Sequence, residues 1–265
     1  MPAPKVINAQ NWPRDPEIRK FVVPYQPDHV IIECDQSQAE ARIVAWKARE
    51  TSLMHLFQTG QKVHEVVGSS VMQEKVSKKL NPVRYETSKR IVHGSNYGMK
   101  PPTLSEVVLN ETGIAVSIPE CRKRQNIYFQ RYPRIKTGYH LSLQDELKQR
   151  NKTITTCVGD IRKFYAPDGN ELYRQVYAYY AQNPVAYITN RAMNILHETW
   201  LRDLLMMQMH DALIYSVPNN RIEESVQMIK RAMTFTLMIG KEPLTIPIDA
   251  KIGKKNWGEM EDYCG

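Results

Sequence analysis

The sequence predicts an α+β protein: an antiparallel sheet with flanking helices, carrying a large helical insertion. Three observations predict it. Short apolar, β-branched runs lie toward both ends of the chain, at residues 30–34 and 244–252. A block of helical spacing, from about residue 53 to 150, separates them. Two further apolar runs, 204–209 and 212–217, flank the polar pair His210-Asp211 as the arms of a hairpin do. With 265 residues the chain is long enough for one large domain or two small ones, each with a buried core. Runs of strand at the ends with helices between them predict a single sheet interrupted by the insertion.

The elements follow in order. The stretch up to Tyr25 carries Pro13, Pro16 and Pro24 and reads as an irregular lead-in. Val30, Ile31, Ile32 and Cys34 make a buried strand that stops at Asp35. Ser37 and Glu40 stand in the S-x-x-E relation of a capping box, ahead of Ile43, Val44 and Trp46. Asn81-Pro82 predicts an N-cap and first position of a helix that Gly94 or Gly98 would end. Ser117, Pro119 and Glu120 mark another start. Residues 153–165 are Thr-rich and broken by Gly159, which fits a hairpin. A helix is predicted over 172–201, strained near Pro184. The 204–217 hairpin, a helix over 221–237 and a strand over 244–252 complete the chain.

Bulk composition narrows the partners. Hydrophobic residues at 42% and charged residues at 24% are ordinary for a soluble globular protein. Lys and Arg outnumber Asp and Glu by 36 to 28, an excess that suits a polyanion and equally a merely basic enzyme. Cys34, Cys121, Cys157 and Cys264 form no C-x-x-C pair, so neither a zinc site nor a disulfide framework is expected. The N-terminal residues lack the apolar core of a signal peptide, and no apolar run approaches the roughly 18 residues of a membrane span. A soluble cytoplasmic protein with no membrane partner is the expectation.

Two aspartates stand out by context. Asp35 ends an apolar strand and Asp211 sits at the centre of an apolar hairpin. A carboxylate among apolar strands is costly unless paired or metal-bound. If the strands are neighbours in one sheet, the two could share a pair of Mg²⁺ ions and serve phosphoryl displacement. Either residue could equally cap a turn.

The order of motifs adds to this. Asp35-Gln36-Ser37-Gln38-Ala39-Glu40-Ala41-Arg42 resembles the first catalytic motif of family A, DNA polymerase I-like DNA polymerases, D-Y-S-Q-x-E-x-R. The run from Lys89 through His93 and Tyr97 to Gly98 is similar to the second, K-x-x-x-F/Y-G-x-x-Y-G. Met209-His210-Asp211-Ala212 is similar to the third, the H-D-E hairpin. Asn8-Ala9-Gln10-Asn11-Trp12-Pro13, His64, Gln182-Asn183-Pro184-Val185 and Ile252-Gly253-Lys254-Lys255-Asn256-Trp257 are similar to family segments in the same order.

The resemblance implies a right-hand palm with a helical fingers insertion: palm at 1–55, fingers at 56–165, palm again at 166–265. It implies Mg²⁺-dependent DNA synthesis, with Asp35 and Asp211 holding two ions. Lys89, His93, Tyr97, Glu40, Gln38, His64 and Arg84 would bind the dNTP, Glu40 excluding a ribose 2′-hydroxyl. His210, Gln182, Arg42 and Gly98 would meet the primer-template DNA. Thumb and exonuclease segments have no counterpart, so a second polypeptide supplying the thumb, and an exonuclease with it, is expected, as in a split phage polymerase.

Four departures bear on activity. His93 replaces an aromatic residue, Ala186 a glutamine, and Ala212 the glutamate of H-D-E, while the family arginine one turn before the lysine falls on Tyr85. A catalytically weak DNA-binding subunit and a relative of single-subunit RNA polymerases are the alternatives.

Overall fold

The computed structural model describes residues 12–13 and 15–263, so residues 8–11 of the lead-in motif and Cys264 lie outside the described chain. The elements begin with α1 (Pro16–Arg19), β1 (His29–Gln36), α2 (Ala39–Ala48), α3 (Thr51–Gln58) and α4 (Val63–Met72). Next come α5 (Pro82–Asn96), α6 (Pro101–Thr112), α7 (Ile118–Arg131), a π-helical turn at Ile135–Leu141 and α8 (Ser142–Gln149). A short hairpin, β2 (Thr153–Thr155) and β3 (Ile161–Lys163), precedes the long α9 (Asn170–His197). The remainder is β4 (Leu205–Met209), β5 (Ala212–Pro218), α10 (Ile222–Met233), β6 (Thr236–Ile239), β7 (Glu242–Thr245), β8 (Ile248–Gly253) and β9 (Glu261–Asp262).

The chain divides into two compact units. Met1–Ala39, Pro184–Leu237 and Thr245–Gly265 form one; Glu40–Asn183 and Met238–Leu244 form the other. These limits differ from boundaries at 55 and 165. Helix α2 belongs with the helical unit because its side chains bond there: the Trp46 indole N–H donates to the Pro243 carbonyl at 3.0 Å, and Lys47 pairs with Glu146 at 3.7 Å.

The first unit is built on a five-stranded antiparallel sheet in the order β4-β5-β1-β8-β9. The alternation of β1 separates its two faces. Val30, Ile32 and Cys34 join Leu213, Tyr215 and Val217 in a core covered by Ala192 and Leu196 of α9 and by Val226, Ile229 and Met233 of α10. Ile31 packs on the opposite face with Met209, Ile214 and Trp257. Glu33 and Asp35 share that second face by the same period of two.

The second unit is mostly helical. The N-cap of α7 is as expected: the Ser117 hydroxyl accepts the Glu120 N–H at 3.3 Å. Helix α5 starts on Pro82 as expected, but the Asn81 side chain serves the preceding loop, accepting the Ser77 N–H at 2.6 Å and donating to the Lys75 carbonyl at 2.8 Å. Its end is a Schellman motif: Gly98 N–H donates to Ser95 O at 3.1 Å and Met99 N–H to Gly94 O at 2.8 Å. Gly98 sits at φ +65°, and a Cβ there would lie 2.8 Å from the Tyr177 ring.

Two expectations are corrected. Helix α10 stops at Met233, not at 237, because the following residues alternate exposed and buried (Thr236, Leu237, Met238, Ile239) and open a hairpin. The single strand over 244–252 is two strands, β7 and β8, interrupted at Pro247, which has no N–H to give a ladder. The Ser37 N–H, just ahead of α2, donates to the Pro247 carbonyl at 2.9 Å. Helix α9, by contrast, runs unbroken through Pro184. No helix among the described residues is long and apolar enough to cross a membrane.

Gly138, in the π-helical turn, touches α2 so closely that a Cβ would fall 2.2 Å from the Ala48 carbonyl oxygen. The neighbour is backbone and cannot swing away. Gly138→Ala is expected to destabilise the chain by roughly 1–3 kcal/mol, read as a lower denaturant midpoint.

Candidate active site

In the first unit two carboxylates meet. Asp35 lies opposite Ala212 in the β1–β5 ladder, and the Gln36 N–H donates to the Asp211 carbonyl at 3.2 Å. Asp211 occupies the two-residue turn between β4 and β5. That tight turn demands a positive φ at its first position, which His210 supplies at +54°. A non-glycine residue held there is uncommon, and such strain concentrates at functional sites. His210 is exposed at the tip, with its carbonyl fixed by the Gln208 amide at 2.7 Å.

The Asp35 and Asp211 carboxyl groups are hydrogen-bonded to each other. Burial first, then the charge and hydrogen bond of Asp211 and the charge of Glu33, hold the Asp35 carboxyl well above the usual carboxylate range; Lys251 opposes them. Two carboxylates this close share a proton, since both cannot ionise cheaply in a half-buried site. From behind, the Gln36 amide anchors the end of β1, donating to Val185 O at 3.0 Å and to the Thr189 hydroxyl at 2.8 Å on α9. Gln38 follows at φ +53°, its Oε1 buried without a hydrogen-bond partner among the described residues.

The sequence reading missed the neighbours of Asp35. Glu33, two residues back on the same face, is held by the Trp257 indole N–H at 2.5 Å, and Arg19 lies over that indole at 4.0 Å. Asp249 lies directly opposite Asp35 on β8, and Lys251 opposite Glu33. Alternation along β1 could have flagged Glu33. Asp249 and Lys251 needed the β1–β8 register.

In the second unit the residues singled out on α5 fall on one stripe. His93 lies with its ring centroid 6.4 Å from Tyr97 and 5.8 Å from His64, and Tyr85 meets His64 edge-on at 6.3 Å. Burial and the Lys89 ammonium push His64 down to about 4, so its imidazole is neutral at physiological pH. The Tyr97 hydroxyl donates to the Glu40 carboxylate, tying the end of α5 to the start of α2. Arg84 stands apart. It pairs with Glu74 at 2.5 Å and lines a cavity of about 720 Å³ with Met72, Val83 and Thr87. Arg42 is buried with its guanidinium 4.6 Å over the Phe57 ring. Gln182 is exposed on α9, next to Asn183, which bonds the Thr156 hydroxyl at 2.6 Å and Asp160 at 2.9 Å.

Asp35 and Asp211 are a hard oxygen pair of the kind Mg²⁺ accepts, since that ion is commonly held by one or two carboxylates plus substrate phosphates. Among the described residues no group of three or more His, Cys, Asp or Glu side chains could hold a metal. Cys34, Cys121 and Cys157 are free thiols.

Comparison with known proteins bears on the chain as a whole. The family model for DNA polymerase family A matches residues 3–259. DNA polymerase I of Helicobacter pylori (strain ATCC 700392 / 26695) is 26% identical over 269 residues, covering 96% of this chain and 28% of that protein. The thermostable DNA polymerase I of Thermus aquaticus is 26% identical over 265 residues, covering 93% of this chain and 29% of that one. A DNA polymerase of Mycobacterium phage D29 is 25% identical over 234 residues, with 88% and 36% covered. In fold, the chain is similar to the POL domain of Pol1 from M. smegmatis, solved in complex with DNA primer-template and dNTP. The TM-score is 0.77 at 20% identity, over 95% of this chain and 44% of that one. The chain belongs to DNA polymerase family A.

The acid pair makes stability depend on pH in a defined direction. Asp35 binds its proton more tightly in the folded chain than at the ordinary value of 3.8. Stability is therefore lost as pH rises from that value through the raised folded one. Burial and the Asp211 charge push the Asp35 carboxyl up to about 8, so Asp35→Asn, in metal-free buffer, is expected to raise the melting temperature at pH 9 and to have little effect at pH 4. Thermal melts of both proteins across that range check it.

Proposed function

We propose that this chain is the catalytic core of a DNA-directed DNA polymerase, joining a dNTP to a primer 3′-hydroxyl under the direction of a template. The hydrogen-bonded Asp35–Asp211 pair carries the reading. A carboxylate pair that must share a proton at neutral pH is arranged to exchange that proton for a divalent cation. Two Mg²⁺ ions bound there would lower the pKa of the attacking hydroxyl and stabilise the leaving pyrophosphate oxygen.

The chain's own residues supply position and charge. The sheet-bearing unit would act as palm and the helical unit as fingers. Lys89 would bind the triphosphate as a compact cation, with the neutral His64 donating one ring N–H beside it. His93 would stack on the base or sugar, and Tyr97 would support the templating base. Glu40, held by the Tyr97 hydroxyl, would fill the space at the ribose 2′ position, and the unpartnered Gln38 Oε1 is available to a nucleotide or minor-groove donor. His210, Gln182, Arg42 and Gly98 would serve the primer-template, Arg42 and Gly98 by supporting the α2 and α5 backbones.

Mg²⁺-dependent extension of a labelled primer is expected, with Asp35→Asn and Asp211→Asn each reducing the rate by at least ~10³-fold. Glu40→Ala is expected to narrow the preference for dNTP over rNTP severalfold or more, measured as the ratio of kcat/KM values. Short products from the chain alone, lengthened when a thumb-bearing polypeptide is added, are the expected pattern if duplex clamping resides in a second chain. A second reading, a DNA-binding subunit with weak catalysis, draws on Ala212 and Tyr85, which leave two carboxylates and one cation fewer than the family motifs carry. It predicts salt-sensitive DNA binding without extension, unchanged by either Asp→Asn substitution.

A further inference from the structure

A cavity of about 720 Å³ lies within the helical unit, between the end of α4, the first turns of α5 and the α6–α7 loop. That volume falls in the range of about 300–1,000 Å³ usual for ligand sites. Its walls are largely aliphatic, built from Met72, Val83, Ile114, Ala115 and Val116, and no aromatic ring lines it. Arg84 and Thr87, three residues apart on α5, reach it from a helix face turned away from the Tyr85–Lys89–His93–Tyr97 stripe.

Two guanidinium groups line the same cavity. Arg84 pairs with Glu74, but its side chain is more than half exposed, where an ion pair contributes little. Arg124 donates Nε–H to Glu120 at 2.8 Å and Nη1–H to the Met72 thioether at 2.6 Å. A thioether sulfur is a weak acceptor. One arm of a group suited to bidentate anions is therefore held by a poor partner in the cavity wall.

Apolar surface and positive charge both extend beyond the cavity. Leu80, Val83, Ile114 and Ile118 are exposed to between 42% and 71%. Residues 72–84 and 114–124 also carry Lys75, Lys78, Lys79, Arg122 and Lys123, all exposed, and their only carboxylates are Glu74 and Glu120. Clustered exposed aliphatic side chains in a basic field mark a binding surface. Single-stranded nucleic acid suits it poorly, because that ligand is held by stacking on aromatic rings. A small ligand confined to the cavity leaves Leu80 and Ile118 uncovered.

We propose that this cavity docks an acidic segment of a partner polypeptide, whose apolar anchor residue fills the aliphatic well while flanking carboxylates bond Arg124 and Arg84. On docking, Arg124 Nη1 exchanges the thioether for a carboxylate oxygen, and Arg84 exchanges Glu74 for a partner carboxylate. Charge steers and orients the encounter, and the buried anchor holds the complex. The site needs no role for Asp35, Asp211 or Lys89, so it stands apart from nucleotidyl transfer.

The test is fluorescence anisotropy on the whole chain with labelled acidic peptides, each carrying a single leucine, isoleucine, methionine or phenylalanine as anchor. Control peptides replace the anchor by serine or the acids by their amides, and an oligothymidylate serves as the nucleic-acid probe. At least one anchored acidic peptide is expected to bind, with both control peptides weaker by about tenfold or more. Ala115→Trp, which fills the well from an exposed position, and Arg124→Gln are each expected to weaken that peptide by about tenfold or more. Glu74→Gln releases Arg84 and is expected to tighten binding, a direction that damage to the fold does not produce. Melting temperatures check that each variant folds; if Ala115→Trp does not, Glu74→Gln and the serine control decide. Failure of every anchored acidic peptide to bind, unchanged affinity in folded Ala115→Trp, or weaker binding in Glu74→Gln overturns the proposal. So does an oligothymidylate that binds with the same losses in Ala115→Trp and Arg124→Gln, which makes the surface a nucleic-acid site.

Discussion

One electrostatic constraint organises the sheet-bearing unit: two carboxyl groups must lie side by side at the edge of an apolar core. Nothing in that core rewards the arrangement. Burial and mutual repulsion both raise the cost of ionising Asp35, and the charge of Glu33 on the same face adds to it. The surroundings over-determine the geometry. Ile32, Cys34 and Leu213, all fully buried, pin the β1–β5 register, and the Gln36 amide ties the strand end to α9. A slip of one residue would send Asp35 to the opposite face and Cys34 out of the core.

The helical unit solves a different problem, burying one face of α5 while keeping the Tyr85–Lys89–His93–Tyr97 stripe accessible at its edge. Thr87, Ser88, Ile91, Val92, Ser95 and Asn96 are inside, and the Tyr85–Lys89–His93–Tyr97 stripe is half-buried. The helix can stop cleanly after Tyr97 because Gly98 adopts the left-handed conformation and lies against Tyr177 without a Cβ. The invariant rise of the helix then converts sequence spacing into spatial spacing. The identities of the rungs decide the electrostatics, and here two phenols and an imidazole share the stripe with a single lysine.

Much of this was legible in the sequence, for physical reasons particular to each part. An apolar β-branched strand ending on Asp35, and an apolar hairpin centred on His210-Asp211, admit few other structures, and both elements form where expected. The N-cap of α7 and the Gly98 stop of α5 were legible because capping chemistry is local. The ends of α10 and the split of β7 from β8 were not. There the alternating Thr236–Ile239 run and Pro247 compete with a longer helix or strand, and only pairing with a partner strand settles the contest. The Ser37 N–H is bonded to the Pro247 carbonyl from far along the chain, a partner no local motif announces.

The sequence by itself determined which chemical groups are available, the kinds of element that carry them, and the spacing of rungs along α5, because those depend on neighbours within a turn or two. The tertiary structure alone decided that Asp35 and Asp211 share a hydrogen bond, that Asp249 and Lys251 stand across from Asp35 and Glu33, and that His64 bridges Tyr85 and His93. It also decided that Arg84 turns toward Glu74. Each of these is set by strand register or helix packing between residues distant in the chain, and local spacing carries no record of them.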